Sequence, residues 1–328
     1  MSSEDLASFR FGAIGLFLLA TVGLVWGIAY VFIREGILLG ATPLAFASAR
    51  YVLSAGAFAL LALVRREAWP TRRNVLVSVG IGGTLFIGLY GGLLYWGEQY
   101  TTGGYAAVLA STAPLLTVAV GFPLLASERL GSRGLLGMAI GFGGTALLVL
   151  PELFGSPIGS WQGPLYVLSA MGAAAVATVL LRRFGGGRQN VWQISTQFAT
   201  GGLILGAAAL LVPTPESLPL TTGVLAMLAV LVLVSSVIGY FAYFALHHRV
   251  GPVRANIVAY LTPLVGVGVG SGILGEAFTL WELGGVGVVL VGVTLVLWDS
   301  ARRATRPTSG VSGAGPDAGS GRPVRNLR

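Results

Sequence analysis

Apolar residues in this chain gather into ten long runs, parted by short gaps that hold most of the charge. The runs span roughly Phe11–Ile33, Pro43–Val64, Asn74–Trp96, Gly104–Leu125, Gly134–Leu150, Pro164–Leu181, Val191–Val212, Val224–Leu246, Val253–Leu274 and Leu283–Trp298. Each has about the 17–25 residues that a helix needs to cross a ~30 Å hydrocarbon core. Lipid offers no hydrogen-bond partners, so such runs must close their backbone bonds internally, which predicts helices. The expected fold is therefore an all-α membrane protein with ten transmembrane helices.

Charge sets the expected orientation. All 20 basic residues are arginines. With the N-terminus placed inside, eighteen of them fall in inside loops, tails or span ends: Arg10, Arg65, Arg66, Arg72, Arg73, Arg129, Arg133, Arg182, Arg183, Arg188, Arg249, Arg254, Arg302, Arg303, Arg306, Arg322, Arg325 and Arg328. Arg34 alone falls outside, and Arg50 lies within the second run. The positive-inside rule then predicts cytoplasmic N- and C-termini in a multi-pass cell-membrane protein. The net charge of +8 belongs to loops facing anionic headgroups and does not point to nucleic acid. Without cysteine there is no disulfide framework and no thiol chemistry. Loops this short leave no room for a soluble catalytic domain. The opening MSSEDLASFR lacks a basic n-region, so the first run reads as a retained span. The stretch after Ala304, rich in Gly, Ser, Pro and Arg, reads as a disordered basic tail.

The two halves resemble each other. Residues 103–130 read GGYAAVLASTAPLLTVAVGFPLLASERL, and residues 252–280 read PVRANIVAYLTPLVGVGVGSGILGEAFTL. Pro114 aligns with Pro263, 149 residues on, and Glu128 aligns with Glu276 after a one-residue slip. Each half holds five runs, an odd number, so the second half enters the membrane from the opposite side. That predicts two inverted five-helix repeats, over residues 1–155 and 156–303, with the tail at 304–328. Inverted repeats are a mark of secondary transporters, whose site on the pseudo-two-fold axis is opened alternately to each side.

Several motifs occur in one order along the chain: Trp26-Gly27 in the first run, Pro43 to Arg50-Tyr51 opening the second, the two Pro-to-Glu blocks, and the Gly284–Thr294 run GGVGVVLVGVT. In this the chain resembles the ten-helix, EamA-type members of the drug/metabolite transporter superfamily, over about residues 11–300. The resemblance implies a central cavity lined mainly by spans one, three, four, six, eight and nine. It also implies metabolite export, often of amino acids, by alternating access. The small four-helix exporters of that superfamily carry an acid in their first span. Here no acid lies between Asp5 and Glu35, while Glu98, Glu128 and Glu276 sit at span ends where water is expected to reach them.

On those spans the candidate cavity residues are Trp26, Tyr30, Ser111, Thr112, Ser235, Tyr240, Asn256 and Tyr260, with Tyr90, Ser236 and Tyr243 nearby. Tyr95 and Trp96 fit an interfacial belt equally well. Pro114 and Pro263 are expected helix breaks, since proline removes a backbone donor; a packing kink is the competing reading. Arg50 lies seven residues past Pro43, about 10 Å deep at 1.5 Å per residue. A charge there costs a few kcal/mol unless offset. Two roles remain open: an anion contact to a carboxylate-bearing cargo, or, favoured, a structural tie to backbone carbonyls near the outer boundary. Glu128 and Glu276 read as helix-capping or loop-fixing residues. His247 and His248, beside Arg249, read as a solvated helix end rather than a metal site. Gly270, Gly272 and Gly275 spell GxGxxG, but inside an apolar run, where close packing explains them better than a nucleotide loop. Neither a metal cluster nor a nucleophile–base set emerges, so neither enzyme activity nor a cofactor is expected.

The expected function is a secondary transporter, an exporter of small neutral or zwitterionic metabolites such as amino acids. Broad efflux of hydrophobic or aromatic compounds is the alternative within transport. A non-transporting receptor or scaffold is the alternative outside it. The expected partners are a small-molecule substrate and the lipid bilayer, with a homodimer left open.

Overall fold

In the computed structural model, residues 13–124, 131–153, 161–185, 189–212, 217–250 and 258–304 are described. They form ten helices in chain order. We label them α1 (Ala13–Leu38), α2 (Pro43–Val64), α3 (Arg72–Gly97), α4 (Gly103–Leu124), α5 (Ser132–Leu153), α6 (Gln162–Phe184), α7 (Val191–Leu211), α8 (Thr222–Leu246), α9 (Val258–Leu274) and α10 (Leu280–Ala304). Nine of these are long and apolar enough to cross a membrane; the tenth, α9, has a shorter apolar stretch, Leu261–Leu274. The chain is thus an all-α membrane protein of two five-helix repeats. Glu128, Arg254, Asn256 and the tail beyond Ala304 lie outside the described residues.

Helix ends follow local chemistry. α1 runs five residues past the expected Ile33, so Arg34 and Glu35 belong to its last turns. It stops in a Schellman motif: Ala41 N–H donates to Gly36 O and Gly40 N–H to Ile37 O, with Gly40 at φ +98°. Pro43 then opens α2 at its first turn, where a missing N–H costs nothing. α7 begins with a capping box between Asn190 and Gln193. Glu67, from the α2–α3 loop, accepts from Val191 N–H at 2.7 Å, tying that loop to α7.

Many of the helix contacts come in symmetry-related pairs. α1 packs on α9 as α6 packs on α4; α1 packs on α8 as α6 packs on α3; α2 packs on α8 as α7 packs on α3. Three pairs map onto themselves: α2 with α7, α4 with α9, and α5 with α10. This is the arrangement that a two-fold axis between the repeats produces. Glycine makes the self-paired contacts close. A Cβ on Gly292 of α10 would stand 2.5 Å from Gly141 Cα and 2.6 Å from Gly137 O on α5. Small residues let membrane helices approach to backbone contact, where packing rather than water exclusion drives association.

Both α3 and α8 widen into π-helical turns, over Ser78–Leu89 and Val230–Ile238. Leu89 and Ile238 are 149 residues apart, the spacing of the matched prolines, so the two widened stretches end at equivalent positions. Long π stretches are rare and tend to lie at functional sites.

Pro114 and Pro263 behave differently. α4 is interrupted at Ser111–Thr112 and resumes at Ala113, so Pro114 opens the second half of a broken helix. Pro263 lies inside the continuous helix Val258–Leu274, and the expected break there is absent among the described residues. One proline removes a single donor, and the bonds on either side hold the helix together.

Candidate functional site

Arg50 organises the centre of the bundle. Its guanidinium donates from Nη1 to Tyr95 Oη on α3 at 3.1 Å and from Nη2 to Ser235 Oγ on α8 at 3.0 Å. Its Nε–H is buried without a partner. The residue is part-buried. Among the described residues it bonds to side-chain hydroxyls and to no backbone carbonyl, unlike the structural tie favoured from sequence. That role falls to Arg34, whose Nη1 donates to the carbonyls of Glu98 at 2.7 Å and Gln99 at 2.9 Å, at the C-terminal end of α3. A cation there also meets the negative end of the helix dipole.

Around Arg50 stand Tyr30, Tyr51, Tyr90 and Tyr95, each within electrostatic reach of it. Tyr30 and Tyr90 hydrogen-bond to each other through their hydroxyls. Tyr95 is 0% exposed, so it is a core partner of Arg50 and not an interfacial belt residue. Its ring meets Phe46 edge-on at 5.8 Å and Tyr51 at 6.1 Å. From Tyr51 an aromatic wall continues through Phe198, Tyr240 and Trp26, with ring centroids 5.6, 5.3 and 6.2 Å apart in turn. Phe58 fills the angle between Phe198 and Tyr240. Edge-to-face contacts of this kind add about 0.5–1.5 kcal/mol per pair beyond area burial and hold the wall rigid.

The expected site residues thus divide. Ser235 and Tyr30 belong to the Arg50 group, and Trp26 and Tyr240 to the aromatic wall that adjoins it. Ser111 and Thr112 sit in the α4 interruption, where their hydroxyls donate to Val108 O at 2.6 Å and Leu109 O at 2.7 Å. The same carbonyls also accept the Ser111 and Thr112 N–H groups, so the hydroxyls reinforce the tight turn, and both residues are almost fully buried. Tyr260 lies on α9, but its side chain, like those of His247 and His248, is outside what is described. Sequence reasoning passed over Tyr51, Phe58 and Phe198. Tyr51 and Phe58 are seven apart on α2, a spacing of two helical turns that would have placed both on one face.

Two acids at span ends behave differently. Glu276 accepts from Gly103 N–H at 3.0 Å and Gly104 N–H at 2.9 Å, so it caps α4 from the opposite repeat, in keeping with the capping role read from sequence. Glu98, the first residue past α3, is 0% exposed, and neither carboxylate oxygen has a hydrogen-bond partner. The expectation that water reaches it is wrong, because α3 ends beneath the Arg34 and Glu276 closures rather than at the surface. A separate apolar groove of about 570 Å³, between α2, α3, α6 and α7, is edged by the exposed Leu89 and Ile204; it does not include Arg50.

A two-fold bundle of apolar helices around a central basic and aromatic cluster defines a multi-pass membrane protein. The EamA-like transporter family model matches twice, over residues 13–150 and 161–298, and the chain belongs to that family. It is similar to an uncharacterized transporter of Archaeoglobus fulgidus, 25% identical over 83% of this chain and 94% of that one. It is similar also to the inner membrane transporter YedA of Escherichia coli K12, 28% identical over 83% and 87% of the two chains. Protein PecM of Dickeya dadantii is 28% identical over 83% and 88%. A solved crystal structure superposes with a TM-score of 0.60 at 18% identity, covering 88% of this chain, which shows the fold.

Proposed function

We propose that this transporter exports small zwitterionic metabolites such as amino acids, by alternating access, from a cell membrane in which both termini are cytoplasmic. The observation that carries the reading is the pairing of Arg50. A guanidinium inside a membrane bundle is costly unless its charge is met. Here its bonded partners are two neutral hydroxyls, and one N–H is left without an acceptor. A carboxylate would supply the missing charge and fit the planar donor fork. The aromatic wall beside it suits an apolar side chain or a cationic group over a ring face. The arginine count in alternate loops supports the orientation.

The test is counterflow of a labelled panel of the common L-amino acids into proteoliposomes. At least one should exchange, the matching amino-acid amide should compete at least tenfold more weakly, and Arg50→Gln should lose exchange while reaching the membrane. Equal competition by the amide would sink the carboxylate contact. The aromatic wall favours one other reading, efflux of hydrophobic or aromatic compounds. It would be supported if lipophilic aromatic dyes were extruded equally well by Arg50→Gln.

A further inference from the structure

Glu98 has no structural task in this conformation. Its backbone carbonyl receives Arg34, but its carboxyl group receives nothing, although both oxygens are shielded from solvent. A carboxylate left ionised and unbonded in such a place would cost far more than a neutral acid, so burial drives the group to hold a proton. The surroundings set the balance. From α1 come Arg34 and Tyr30, from α2 Arg50 and Tyr51, from α3 Tyr95, and from the turn after α9 Glu276. Burial pushes the Glu98 carboxyl well above the usual range; Arg34 and Arg50 pull it down, and Glu276 pushes it up.

The same residue stands where the bundle closes. Gly103 approaches α1 so tightly that a Cβ would lie 2.6 Å from Val31 Cα. Glu276 clamps Gly103 and Gly104, and Arg34 clamps the end of α3. Glu98 lies beneath these three closures. Opening this end, as alternating access requires, separates them and admits water to the carboxyl group.

We propose that Glu98 is a proton-binding site of the transport cycle, neutral while this end is closed and ionised once it opens. On opening, the proton leaves one carboxyl oxygen for water at that face; on closing, the carboxylate takes one back from the same water. Opening and closing at this end therefore release and bind one proton each. This goes beyond the cargo reading, resting only on the alternating-access part of it.

The sign follows from linkage. Closing is unpenalised below the ordinary glutamate value of about 4.3, and above it loses up to about tenfold per pH unit until the raised value is reached. Raising the pH through that window therefore favours the open end. Two measurements on the full-length protein in liposomes test this, and neither needs the cargo. The first is infrared difference spectroscopy of wild type against Glu98→Gln. A protonated-carboxyl band at pH 7 should be present in wild type, vanish at alkaline pH, and be missing from Glu98→Gln and from Glu98→Ala. The second uses the absence of cysteine. Thr101→Cys, at a position 8% exposed beside the closure, reports opening to an impermeant thiol reagent. The labelling rate divided by that of the Glu98→Gln, Thr101→Cys double variant cancels the thiol's own titration. That ratio should climb severalfold between pH 5 and 8. Spectra without a protonated band at pH 7, or a flat ratio, would overturn the proposal. Failure of amino-acid counterflow would instead remove the cargo reading and leave both Glu98 readouts standing.

Discussion

Replacing Gly292 by alanine tests whether the α5–α10 contact is as close as the backbone geometry requires. The new methyl would meet Gly141 Cα at 2.5 Å and Gly137 O at 2.6 Å, against 3.4–4 Å for ordinary contact. The obstacles are backbone atoms, which cannot rotate away as a side-chain tip can. The helices must therefore part by about 1 Å, and a gap of that size forfeits a quarter to a half of each dispersion contact along the seam. Overpacking of this kind costs about 1–3 kcal/mol. Gly287, five residues earlier on the same helix, has nothing within 4 Å of its ideal Cβ. Alanine there should be neutral or should stabilise by up to about 1 kcal/mol through helix propensity. The assay is thermal unfolding of both variants in detergent, followed by tryptophan fluorescence. In a domain of about 200 residues 1 kcal/mol shifts the midpoint by roughly 2–4 °C, so Gly292→Ala should melt several degrees below Gly287→Ala. Equal midpoints would mean that α5 and α10 are not in backbone contact.

Single cysteines near Arg72, Arg188 and Arg306 should label only from the cytoplasm, and those near Gly155 and Glu216 only from outside; outside labelling at Arg188 would defeat the proposed orientation. Glu276→Ala strips the acceptor from two N–H groups at the start of α4, where charge-assisted bonds are worth about 1.5–3 kcal/mol each. Membrane abundance should fall, and Glu276→Gln, which keeps one acceptor oxygen, should fall less. Ser235→Ala removes one neutral partner of Arg50 and should weaken exchange severalfold while leaving unfolding within about 1–2 kcal/mol of wild type; an unchanged exchange rate would take Ser235 out of the site.

Spans and repeats were legible because they rest on features that sequence carries locally: runs of apolar length, arginine in alternate gaps, and Pro114 and Pro263 held at one spacing. The site was legible only in part. Ser235, Tyr30, Trp26 and Tyr240 could be drawn from the polar and aromatic residues of the spans. Arg50 could be singled out as a buried charge, but its partners could not, because Tyr95 and Ser235 reach it from helices 45 and 185 residues away. Glu98 was misread for a related reason. Its place at the end of a span suggested water, and only the packing of α1 and the turn after α9 above it makes it dry. The wide turns of α3 and α8 have no marker in composition, since the same apolar residues fill α and π turns alike.

The backbone obeys the two-fold axis more closely than the chemistry does. Positions equivalent to Arg50, Tyr51, Tyr95 and Ser235 in the other repeat are Ala199, Thr200, Phe244 and Phe86, each 149 residues away. The charged network is therefore built once, from α2 and α3 of the first repeat and α8 of the second, and its mirror holds no charge and one hydroxyl, that of Thr200. Such a division suits a carrier. Equivalent packing in the two repeats, including π stretches that end at matched positions, would give the inward- and outward-facing arrangements of the proposed cycle similar energies. A single off-axis set of charges then lets the states differ in what they bind. Glu98 follows the same rule, because its counterpart is His247, a residue that binds a proton with the opposite change of charge. If the cycle is proton-linked at the Glu98 end, the other end carries a titratable group of opposite sign at the equivalent position.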